Sequence, residues 1–82
     1  MSAFAELPKR EPRRGELTSP LAPAARFLLH AMHDDLREME RRARGIGDHY
    51  LATLIADAAD EARDQLRDDL ILRQAASGAG QG

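Results

Sequence analysis

The run Arg44-Gly45-Ile46-Gly47-Asp48 constrains this chain more than any other feature. Two glycines within three positions close a helix arriving from the N-terminal side, because glycine takes the left-handed backbone that ends helices. Asp48 then offers a carboxylate to the free N–H groups of a new helix. Gly45 is the expected left-handed residue, Ile46 the apolar contact that follows it, and Gly47 added freedom. A connection this short makes two helices antiparallel neighbours.

The segment before the break has the apolar spacing of a helix. Leu21, Ala25, Leu28, Met32, Leu36, Met39 and Ala43 follow one another at steps of three or four, the pattern of one buried stripe. Phe27 and Leu29 widen it. Ser19 is the expected cap and Pro20 suits a first helical position, with Pro23 as the latest start. Glu38 stands four before Arg42, and Glu40 four before Arg44, in the favourable order. Arg41, Arg42 and Arg44 crowd the last turn, where the helix dipole favours cations.

The segment after the break repeats the pattern. Leu51, Ile55, Ala58, Ala62, Leu66 and Leu70 form a stripe, broadened by Leu54, Ala59, Ile71 and Leu72. Ala56, Ala58, Ala59 and Ala62 narrow its middle, so that another backbone can approach closely. Asp69 and Arg73 are spaced for an ion pair.

These readings divide the chain into an extended or disordered tail over 1–19, a two-helix hairpin over 20–76 and a flexible terminus over 77–82. The helices are expected at about 20–44 and 49–76, with the turn at 45–48. Pro8, Pro12, Gly15 and Pro20 interrupt the tail. Leu7, Lys9, Arg10, Arg13 and Arg14 make it a candidate docking segment.

The fold class is therefore all-α. With 82 residues, such a chain buries only about 60% of its unfolded surface. There is no Cys, hence no disulfide and no thiolate metal site. Two broad stripes on one hairpin cannot both be hidden by each other. Four helices would close the core, through dimerisation or docking on a larger protein complex. The candidate interface is Leu28, Met32, Leu36 and Met39 with Leu51, Ile55, Ala58, Ala62, Leu66 and Leu70.

Other classes of function find little in the residues. His30, His33 and Asp34 invite a metal reading, and Asp57, Asp60, Glu61 and Asp64 add carboxylates. Bundle di-metal sites use Glu-x-x-His motifs projecting into the core, and this chain has none. No metal or cofactor is expected. Ser2, Ser19, Ser77 and Thr53 have no neighbouring base, and no phosphate-binding loop exists. Arg37, Arg41 and Arg63 read as surface ion-pair formers rather than as an anion clamp.

The formal net charge is −2, which gives no global attraction to nucleic acid. The helix after the turn opens His49-Tyr50-Leu51-Ala52 and becomes acidic, unlike a recognition helix. No signal peptide and no membrane span of about 20 apolar residues is visible, so the cytoplasm is the expected location. The expectation is a non-catalytic interaction module of regulatory, adaptor or assembly type. The alternative is a small nucleic-acid-associated regulator using the basic tail and Arg41, Arg42 and Arg44.

Overall fold

A computed structural model describes residues 13–79. It contains two helices, α1 (Pro23–Gly45) and α2 (His49–Ala79), packed against each other as an antiparallel hairpin. Among the described residues there is no strand, and no helix is long and apolar enough to cross a membrane. Leu7, Lys9 and Arg10 of the candidate docking segment lie outside the described residues. Ser77 and Gly78, expected in a flexible terminus, belong to α2.

The start of α1 differs from the expected Ser19 cap. The N-cap is Ala22, with no side-chain bond to the first turn, and Pro23 occupies the first turn. Proline there lacks an N–H that would otherwise go unpaired. The entry is fastened by tertiary contacts instead. Arg26 donates from its guanidinium to the Leu21 carbonyl at 3.1 Å and to Asp69 at 2.7 Å.

The turn also corrects the sequence reading. Gly45 is still helical, and Gly47 has the left-handed conformation, with φ of 84°. The Gly47 N–H donates to the Arg44 carbonyl at 3.0 Å and the Asp48 N–H to the Ala43 carbonyl at 2.9 Å. This pair of bonds is a Schellman ending. The residue that would make its apolar contact is Asp48, not Ile46, and Ile46 stays 78% exposed. Asp48 caps the next helix as expected: its carboxylate accepts the Leu51 N–H at 3.0 Å.

The seam between the helices is rotated from the expected stripe. On α1 the less exposed positions are Arg26, Leu29, His33, Leu36, Arg37, Glu38, Glu40 and Ala43. Leu28, Met32 and Met39 remain exposed. On α2 the enclosed apolar residues are Ala52, Ala59 and Ala62, while Ala58 is exposed. Alanines allow a close approach of the two backbones. The helices are then held sideways by polar bonds that apolar periodicity does not register. Arg37 on α1 donates to Asp60 on α2 at 2.7 Å and to Glu40 at 2.9 Å.

Residues 13–22 form a strap along the outer side of α2. Arg13 donates to Glu61 at 2.6 Å and to Asp68 at 2.5 Å. The Leu17 N–H reaches Asp68 at 3.3 Å and the Leu21 N–H reaches Asp69 at 2.7 Å. Gly15 supports this path with φ of 87°, in a bend where an added Cβ would strike the Glu61 side chain.

Candidate functional site: one apolar face of the hairpin

The two apolar stripes face each other only in part: Ala43 and Ala62 are enclosed in the seam, and Met32, Met39 and Leu51 are exposed. The exposed members turn toward the same open side of the hairpin. Met32, Leu36, Met39 and Ala43 recur at steps of three and four along α1, which keeps them on one face. Leu51, Ile55, Ala58 and Ala62 do the same on α2. The two rows meet beside the turn, where Met39, Arg42, Ala43, Ile46, Leu51 and Ile55 line an open groove of about 260 Å³. Met32 is 55% exposed and Met39 48%. Flexible, polarisable methionine side chains suit a surface that repacks against another helix.

The opposite face is mixed, with ion pairs beside exposed Leu70. It carries the Arg37–Asp60 bridge, with Arg63 near the same carboxylate at 3.7 Å. A second groove on this side is lined by His30, Arg63, Leu66, Arg67, Asp69, Leu70 and Arg73. Leu70 thus lies apart from the other candidate interface residues, and Leu66 sits between the two sets. Leu28 is exposed on α1 toward its N-terminal end.

Asp69 is the buried polar centre of the molecule, with none of its surface exposed. The carboxylate accepts the Leu21 N–H, Arg26 Nε at 2.7 Å and Arg73 Nε at 2.9 Å. Burial by itself raises its pKa. The Leu21, Arg26 and Arg73 hydrogen bonds outweigh burial and hold it at about 2. Spacing identifies the Asp69–Arg73 pair, but not Arg26 or the enclosure. Following Ala52, Ile55, Ala59, Ala62 and Leu66 along α2 at steps of three and four leads to Asp69, and that row is the signal for its place in the seam.

The basic candidates are largely occupied by carboxylates. Arg41 bonds Glu38, Arg42 approaches Glu38 at 3.5 Å, and Arg44 bonds Glu40 at 2.7 Å. Arg41 holds the Glu38 carboxyl below its ordinary pKa. Arg44, then Arg37, does the same for Glu40. Of the candidate docking tail, Arg13 is tied to α2 and Arg14 is exposed.

His33 Nδ1 lies 3.6 Å from Asp34, and its Nε2 is enclosed without a hydrogen-bond partner. Among the described residues no three His, Asp or Glu side chains converge to hold a metal ion. The Thr53 hydroxyl donates to the His49 carbonyl one turn back at 2.9 Å. In comparisons with known proteins, no family model matches the chain, and neither a characterised protein nor a solved structure matches it.

Proposed function

We propose that this chain is a non-catalytic interaction module whose apolar face is closed by the same face of a second copy. The product is a four-helix bundle serving a regulatory, adaptor or assembly role. The carrying observation is the segregation of the hairpin's surfaces. Met39, Ile46, Leu51 and Ile55 border one open groove beside the turn, with Met32 exposed further along the same row of α1, whereas the Arg37–Asp60 bridge and Arg63 lie away from that groove. Removing such apolar area from water stabilises an assembly by about 25 cal/mol per Å². The carboxylate partners of Arg41 and Arg44 weigh against the nucleic-acid reading.

Analytical ultracentrifugation of the purified chain tests the proposal. The expected mass is twice that of the chain. Leu51→Asp should shift it to the single-chain mass while circular dichroism keeps its helical signal. A wild-type chain that sediments as one copy at every concentration contradicts closure by a second copy. That outcome would leave docking on a larger protein as the use of this face.

A further inference from the structure

The charges bordering the apolar row of α1 select one arrangement of two copies. Asp35 and Arg42 are seven residues apart, so they repeat along the same edge of the helix. Both are exposed. Asp35 has no ion-pair partner among the described residues, and Arg42 meets only Glu38, through Nε at 3.5 Å. The edge they form flanks Met32, Leu36, Met39 and Ala43 on the side away from α2. It therefore borders the face that the proposed function leaves to a second copy.

We infer that two copies pack α1 against α1, antiparallel and two-fold symmetric, with Asp35 of each facing Arg42 of the other. This register rests on the second-copy reading above and specifies it. When two helices run antiparallel, equivalent edges meet across the seam. Pairing Asp35 with Arg42 then fixes the inner layers. Leu36 packs opposite Met39 of the second copy, and exposed Met32 lies at the level of Ala43, which is already enclosed against α2. The Leu36–Met39 layer sets a long side chain against a differently branched one, which is how facing positions interdigitate. Two-fold symmetry repeats every contact, so one register satisfies two ion pairs and two Leu36–Met39 contacts. A parallel pairing would instead put the two Asp35–Arg42 edges on opposite flanks of the seam, where they do not meet.

Charge reversal gives a test with opposite outcomes for mixtures and single variants. Asp35→Arg alone brings two arginines together at both ends of the seam, and Arg42→Asp alone brings two aspartates together. Each variant should dimerise about tenfold or more weakly than the wild type, as expected for two attractive pairs turned repulsive. An equimolar mixture should recover the dimer. One variant then carries two basic edge positions and the other two acidic ones, so both contacts across a mixed seam are attractive. Sedimentation reads the mass, and circular dichroism checks that each variant remains helical. A mixture that stays as weak as its components, beside a wild-type dimer, overturns this register and leaves the second-copy reading intact. A wild-type monomer overturns both.

Discussion

Arg26 Nε and the Asp69 carboxylate meet at 2.7 Å, where the strap, α1 and α2 come together far from the turn. The same carboxylate takes the Leu21 N–H and Arg73 Nε. One enclosed side chain thereby joins three segments. Asp69→Asn places an NH₂ donor in a pocket furnished with donors, and it leaves two guanidinium groups without their anion. Its thermal midpoint, followed by circular dichroism, should fall by about 10 °C or more. An unchanged midpoint would mean that the network adds nothing to stability.

Acid should loosen the molecule in a defined window. The Asp69 pKa is about 2 in the folded chain against an ordinary 3.8. A depressed folded pKa contributes stability that is fully present above the unfolded value and is lost as pH falls toward the folded one. Glu61 is also lowered, by Gln65 first and then by Arg13, so the strap weakens in acid with the same sign. Thermal midpoints should hold above about pH 5 and decline between about pH 5 and pH 2. In Asp69→Asn the decline should be shallower.

The two turn glycines should respond oppositely to alanine. Gly47 has φ of 84°, and alanine in left-handed backbone costs about 1 kcal/mol or more. Gly45 is helical, and an added Cβ there meets nothing within 4 Å. Gly45→Ala should therefore stabilise by about 0.5–1 kcal/mol. Urea unfolding of the two variants measures both signs. Were Gly45 the left-handed residue, the order would be reversed.

Alanine substitutions separate the seam from the open face. Ala59 is fully enclosed, so Ala59→Leu overpacks the hairpin and should cost about 1–3 kcal/mol. Ala58 is exposed. Ala58→Leu should leave helical content unchanged and alter only self-association. Ala62 is a poorer probe of the interface, because it is enclosed in the seam as well. Equal helix loss in both leucine variants would contradict the rotated seam.

The strap should come away in stages. Arg13→Gln removes both of its ion pairs to α2. Amide exchange at Leu17, whose N–H reaches the partly exposed Asp68, should quicken. Exchange at Leu21 should stay slow, since its acceptor is the enclosed Asp69. Raised salt should mimic the substitution at Leu17, because partly exposed pairs are screened. Identical exchange of Leu17 in wild type and variant would show that Arg13 does not hold the strap.

The hairpin itself is legible in the sequence because it depends on local signals: three- and four-residue spacing, the glycine pair and the Asp48 cap. The rotation of the seam is not. Helix spacing defines an apolar face, but it does not say whether that face meets the neighbouring helix or lies open. Here Ala52 and Ala59, together with the Arg37–Asp60 and Arg26–Asp69 bridges, decide the question. Gly45 and Gly47 are interchangeable as helix terminators by spacing alone. Asp48 settles them physically, because the residue after the left-handed position also caps α2. The strap reads as a tail in the sequence, since its holds on α2 are bonds between residues 48 to 55 positions apart. No local pattern carries those. The apolar rows are visible in the spacing, and the placement of Leu70 on the other face is not.

The hairpin is fastened at its two ends by different chemistry. At the turn, backbone bonds around Gly47 and the Asp48 cap do the fastening. At the far end it is one carboxylate among two guanidinium groups and a backbone N–H. Loss of the Asp69 charge by substitution acts on only one of these. An Asp69→Asn chain should therefore open directionally, the helices parting first where α1 begins and the Gly47 turn serving as their pivot.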